Sequence, residues 1–200
     1  MNWFEISKVL GAVAGLLSIF WYQYKGEYSE ASHVVVAIIL SINIGLAVLR
    51  DLQHGWKSYP NALAGVFLVL AMPRHAIDVA RLSQRASTGL FILPVSYGWS
   101  ALYTSWNCAF SYSGNFSWST RVIMVAPWLI AWHFNEPGVW IGARCICLCL
   151  NMILRCTETT AFYTPGATIL TQAPNTLMHN PNRVLLWGTL NTVFGTLFLL

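Results

Sequence analysis

"INIGLAVLRDLQHG", residues 42–55, decides the fold. It is the closing half of an apolar run, yet it carries Asn43 near its start and ends on Arg50, Asp51 and His54. In a soluble helix such residues would face water. The composition argues that most of this chain does not meet water. Of 200 residues, 56% are hydrophobic and 9% charged, whereas a typical soluble domain carries about 25% charged residues. The chain therefore reads as an integral membrane protein. No polar segment is long enough to bury a core of its own, so residues 1–200 count as one membrane domain.

Apolar runs recur at residues 4–24, 32–49, 59–73, 90–113, 120–135, 138–156 and 183–200. A helix needs roughly 17 to 25 mostly apolar residues to cross the hydrocarbon layer, and most of these runs reach or approach that length. The third, "YPNALAGVFLVLAMP", is short and bracketed by Pro60 and Pro73, so it either spans with help from its flanks or re-enters. The expected architecture is all-α: a polytopic transmembrane bundle of six or seven helices. No cleavable leader is read. The first run continues into "FWYQYK", an aromatic interfacial ending that suits a retained helix. Lys and Arg lean by a small margin to the side that carries Lys8, Arg50 and Lys57, which places the N-terminus in the cytoplasm.

Net charge is +4, which interfacial Lys and Arg beside anionic headgroups account for; a nucleic-acid partner is not implied. Cys108, Cys145, Cys147, Cys149 and Cys156 all fall within expected helices, badly placed to staple loops. Wound into a helix, "CICLC" puts Cys145 and Cys149 on one face and Cys147 on another, so small packing residues are read there and not a metal or redox site. No glycine-rich phosphate loop, paired-cysteine zinc site or nucleophile elbow is present, and no cofactor is implied. The five histidines lie near helix ends, a poor arrangement for haem across the bilayer. Lys8, Lys25 and Lys57 read as terminal or loop residues. Residues 74–85 read as a solvated connector or a short amphipathic surface helix, and residues 157–182 as a lid or a long connection.

At about 100° per residue, Asn43, Arg50 and His54 share a narrow sector of the second helix, with Asp51 to one side. Arg144, Asn151, Arg155 and Glu158 share a face of the sixth, and Ser96, Ser100, Tyr103, Asn107 and Ser111 a face of the fourth. Each Asn or Ser taken singly suits interhelical hydrogen bonding, and Arg50, Asp51 and Arg144 are near enough to helix ends to snorkel. Three coincident stripes argue for more. Charge at the bilayer centre costs a few kcal/mol at least and so faces the bundle interior. The expectation is a polar cavity between the second, fourth and sixth helices. Arg50 and Arg144 are its cationic walls, Asp51 or Glu158 the counter-ions, and Asn43, Asn61, Tyr103, Asn107 and Asn151 the hydrogen-bonding lining, with Trp106 as packing or as a ring platform. In the last helix Gly188, Thr192 and Gly195 beside Asn191 make a small-residue packing surface.

"KVLGAVAG" from Lys8, "INIGLAVLRDLQ" from Ile42, "PNALAG" from Pro60, "YTSWNCAFSY" from Tyr103, "WIGAR" from Trp140 and "HNP" from His179 occur in that order. In this order they resemble the bacterial multi-spanning membrane proteins grouped as domain of unknown function family 5692. The likeness covers nearly the whole chain, without the additional N-terminal helices of family members. It implies characteristic positions for Asn43, Arg50, Asp51, Asn61, Trp106, Asn107, Tyr112, Trp140, Arg144 and His179, and a bacterial inner-membrane location. Leu46 departs from the pattern, standing where the family has a glutamate; an activity that needs that acid would be absent. The family supplies no function.

Three functions fit this reading. The first is a pocket that binds or transports a small polar or anionic solute or a lipid headgroup, and this is the expectation taken forward. The second is a membrane-embedded enzyme on a lipid or isoprenoid-like substrate, for which intramembrane carboxylates are scarce. The third is a structural subunit of a membrane complex. The lipid bilayer is the implied partner in all three, with a homo-oligomer or larger complex left open.

Overall fold

The computed structural model describes residues 3–25, 30–72, 93, 95–113, 118–158, 180–197 and 199. Within them the chain is all-α, with helices α1 (Trp3–Lys25), α2 (Glu30–Gln53), α3 (Tyr59–Leu70), α4 (Tyr97–Ser113), α5 (Trp118–His133), α6 (Trp140–Glu158) and α7 (Pro181–Leu197). Each expected apolar run holds one helix. The surface segment 74–85 and residues 159–179, including His179, lie outside the described residues, as do the side chains of Ser111, Tyr112, Arg155 and Glu158.

Local chemistry sets the boundaries. α2 stops at Gly55, whose φ of 98° is open to glycine without steric cost. A 3₁₀ turn over Trp56–Ser58 follows, and Pro60 then sits in the first turn of α3, where its missing N–H costs nothing. α5 ends at Asn135 in the left-handed region (φ 50°), and the Glu136 side chain accepts from the Gly138 N–H to start the 3₁₀ turn that leads into α6. α4 begins later than its apolar run. Leu93 precedes Pro94, and a residue before proline is steered from α backbone; the helix starts at Tyr97, with the Ser96 hydroxyl accepting from the Trp99 N–H. Ser96 is thus a cap and not part of the polar face.

The first six helices pack in a closed ring, α1 on α2, α2 on α3, α3 on α4, α4 on α5, α5 on α6 and α6 back on α1, while α7 lies outside against α3 and α4. Small residues permit the tight joints. A Cβ on Gly11 would come within 3.0 Å of Asn43 in α2, and one on Gly15 within 3.1 Å of Cys145 in α6, so α1 is wedged between those two helices. α3 and α4 run antiparallel, pinned by Trp99 Nε1 to the Leu68 carbonyl (3.0 Å) and Trp106 Nε1 to the Asn61 carbonyl (2.7 Å). α7 runs parallel to α3: Gly188 meets the Asn61 backbone and Gly195 meets Phe67. This is the small-residue surface anticipated from sequence.

The interior divides along its length. At one end lies an apolar core including Val36, Leu40, Leu68, Trp99 and Trp140. At the other, by the α2–α3 turn, the buried residues include Asn43, Asp51, Asn61, Asn107 and Arg144. Outside, Leu10, Leu17, Ile38, Leu49, Leu63, Leu129, Leu190 and Phe194 are exposed. By length and hydropathy, two stretches near the N-terminus, Ile6–Lys25 and His33–Gln53, are long and apolar enough to cross a membrane; Val122–His133 and Pro137–Asn151 are shorter apolar helices. The 12 residues of α3 reach about 18 Å at 1.5 Å per residue, less than the hydrocarbon thickness of about 30 Å.

One local expectation is corrected. Lys8 lies within α1, in its second turn, and not at a loop or frayed terminus. Cys147, on a different face of α6 from Cys145, is buried as well, because α6 is covered by α5 on one side and α1 on the other.

Candidate functional site

The site is built from five helices of the ring, α1, α2, α3, α4 and α6. On α2 the buried face runs through Val36, Leu40, Asn43, Ile44, Ala47 and Asp51, the i, i+3, i+4 spacing of one helical stripe. Asp51 is therefore the polar residue that this face carries inward at its end, fully buried at 0% exposure. Arg50, one residue and about 100° away, is half-exposed, and His54 is exposed with its Nδ1 at 2.7 Å from the Arg50 carbonyl. The expected inward stripe of Asn43, Arg50 and His54 thus divides: Asn43 turns in, and the charge on the inner face is that of Asp51.

Asn61, at the start of α3, is the keystone. Its Nδ2 donates to Asp51 Oδ2 (2.7 Å), its Oδ1 accepts from Asn191 Nδ2 (3.2 Å), and its carbonyl accepts from Trp106 Nε1 (2.7 Å). Asn191 Oδ1 in turn accepts from the Ser105 hydroxyl (2.7 Å), and the Ser105 oxygen accepts from Trp187 Nε1 (2.9 Å). Every donor in this chain points toward Asp51. The chain runs from α7 through α4 and α3 to α2, so the carboxylate is oriented by three other helices. Its second oxygen, Oδ1, is buried without a hydrogen-bond partner among the described residues.

Arg144 lies across the ring on α6, 4% exposed. Its Nη2 donates to Asn107 Oδ1 (3.3 Å), whose Nδ2 is tied to the Tyr103 carbonyl (3.1 Å), and the guanidinium carbon lies 5.7 Å from the centroid of the Tyr103 ring. Tyr103 is held between Trp99, Trp106 and Trp140, with centroids 4.7–5.7 Å away. Packing on three sides thus fixes the platform under the guanidinium. Among the described residues, Nε and Nη1 of Arg144 have no hydrogen-bond partner, nor does Nε1 of the fully buried Trp140.

Lys8 completes the set and was missed from sequence. Its Nζ donates to the carbonyl and to Oδ1 of Asn43, each at 2.6 Å, and it stands within electrostatic reach of both Arg144 and Asp51. The signal was present in Lys8, Ala12, Gly15 and Ile19, a stripe at helical spacing on α1. Of the expected residues, Asn43, Asp51, Asn61, Tyr103, Trp106, Asn107 and Arg144 come together in the buried interior, while Arg50 stays at its margin and Asn151 lies two turns beyond Arg144, half-buried.

An arginine and a carboxylate buried within one ring, each with unclaimed hydrogen-bonding atoms, form an unusual interior. A buried polar group without a partner costs about 1–3 kcal/mol, more when charged, and buried ionic groups ordinarily pair. Among the described residues these two do not pair with each other. No family model, no curated protein and no solved structure matches the chain.

Proposed function

We propose that the chain is a multi-spanning membrane protein whose helix ring encloses a polar pocket that binds, or carries across the bilayer, a small anionic solute or lipid headgroup. The observation that carries the reading is Arg144: buried, fixed over Tyr103 by Asn107, and left with donors on Nε and Nη1. A planar guanidinium with unclaimed N–H groups suits carboxylate or phosphate oxygens, and burial strengthens each such bond. Lys8 adds a second basic group within electrostatic reach of Arg144.

The membrane setting is supported by an inverted distribution of polarity. Water-soluble folds put charge outside and bury aliphatic side chains; here Asp51 and Arg144 are inside, and leucines, valines and aromatics cover the outside of α1, α2, α3 and α7. Only 17% and 28% of the apolar stretches of α1 and α2 are buried within the fold, far less than a helix at the core of a soluble domain buries, and this supports the membrane reading. With the N-terminus on the cytoplasmic side, the pocket lies in the cytoplasmic half of the bundle, by the α2–α3 turn. The resemblance to the bacterial family belongs to the same proposal, since its characteristic positions Asn43, Asp51, Asn61, Trp106, Asn107 and Arg144 are those of the pocket.

The test is mass spectrometry of the lipids and small molecules that co-purify with the protein in native nanodiscs, wild type against Arg144→Ala. A species enriched with wild type and lost from a monodisperse variant is expected. Identical complements from both proteins would make the polar interior a packing device.

A further inference from the structure

The two unclaimed charges have opposite sign, which narrows the chemistry of what fits between them. Arg144 offers donors, and so does the indole of Trp140. Asp51 Oδ1 offers the opposite, a buried acceptor that no side chain among the described residues uses. Asn61 does not quench it: the amide takes Oδ2 and, through Asn191, Ser105 and Trp187, braces the carboxylate in place. A ligand that is only an acceptor, such as a simple carboxylate, would satisfy Arg144 and leave Asp51 both unpaired and repelled. A ligand carrying its own donor would satisfy both. Charge points the same way. Arg144 carries a permanent positive charge, and one negative charge on the ligand balances it in a medium where uncompensated charge is costly.

We propose that the pocket selects a singly charged organic oxyanion that also bears a hydrogen-bond donor, with the oxyanion on Arg144 and the donor, a hydroxyl or amino group, on Asp51 Oδ1. This rests on the reading of the interior as a binding pocket. Two sources supply such chemistry. One is a free hydroxy acid; the other is an anionic lipid headgroup with hydroxyls.

The experiment uses two matched pairs, equal in charge and differing in the donor, titrated against the full chain in phosphatidylcholine nanodiscs and read by native mass spectrometry. Lactate is compared with propionate, and phosphatidylglycerol with phosphatidylmethanol. The donor-bearing member of one pair is expected to bind about tenfold tighter or better, the range of a hydrogen bond to a charged group, and the pair that discriminates names the source. Asp51→Asn keeps an oxygen for the Asn61 amide and so preserves the bracing. It is expected to reduce the preference to within about threefold, since a neutral acceptor bonds roughly half as strongly. Arg144→Gln is expected to weaken both members of the discriminating pair together. Equal binding within both pairs, still lost in Arg144→Gln, overturns the donor requirement and leaves the anion pocket standing. Binding that ignores Arg144, or no binding by any of the four probes, overturns both.

Discussion

The keystone role of Asn61 makes a quantitative prediction through a double-mutant cycle with Asp51. Asn61→Ala removes the 2.7 Å bond to Asp51 Oδ2 and strands Asn191 Nδ2. A hydrogen bond to a charged group contributes about 1.5–3 kcal/mol, and stranding a buried amide costs about 1–3 kcal/mol. Asp51, 0% exposed and already lacking a partner at Oδ1 among the described residues, would be left with a buried carboxyl group that none of those residues hydrogen-bonds. Breaking buried charged contacts in that way costs about 3–5 kcal/mol, and that range is the expected destabilisation. For a chain of this size about 2–4 °C of melting temperature goes with each kcal/mol, so thermal unfolding in detergent, followed by tryptophan fluorescence, should fall by about 6–20 °C. Asp51→Ala should cost less, because it removes the charge together with its acceptor. The double variant should be milder than the sum of the singles by about 1.5–3 kcal/mol. Neutral interhelical bonds in membranes average only about 0.6 kcal/mol, so the cycle separates an ionic anchor from ordinary interhelical adhesion. Additivity within about 0.5 kcal/mol would refute the claim that Asn61 anchors Asp51.

Other outcomes follow from packing and from the proposed membrane setting. Gly188→Ala should destabilise by about 1–3 kcal/mol, because its Cβ would stand 2.7 Å from the Asn61 backbone nitrogen. Gly45→Ala, with nothing within 4 Å, should be neutral or stabilise by up to about 1 kcal/mol; equal effects in the same thermal assay would contradict the α3–α7 contact. Trp106→Phe keeps the ring but loses the 2.7 Å bond to the Asn61 carbonyl, for an expected loss of about 1–3 kcal/mol; an unchanged melting temperature would mean that α4 is held to α3 by shape alone. Membranes from expressing cells washed in alkaline carbonate should retain the protein in the pellet, and release into the supernatant would count against a spanning bundle.

The helical elements were legible because apolar runs separated by polar breaks, with Gly55 and Asn135 at the ends of α2 and α5, leave the backbone little choice but helix. The small-residue surface of α7 was legible for the same local reason: Gly188, Asn191, Thr192 and Gly195 share a face wherever the helix lies. Helical spacing also grouped Tyr103 with Asn107. It did not decide which of two adjacent charges on α2 turns inward. Arg50 and Asp51 are separated by about a quarter turn, and the stripe from Asn43 favoured Arg50, whereas the packed face favours Asp51. That choice depends on Asn61, 10 residues away, whose amide meets the carboxylate, and on the extra aliphatic length that lets an arginine reach outward where an aspartate cannot. Lys8 and the burial of Cys147 were hidden for a related reason. Periodicity says which residues share a face, but how many faces of a helix are covered is set by its neighbours. The closure of α6 onto α1, which joins two ends of the ring far apart in the chain, brings Lys8, Asn43 and Arg144 into one interior, and no local pattern encodes that meeting.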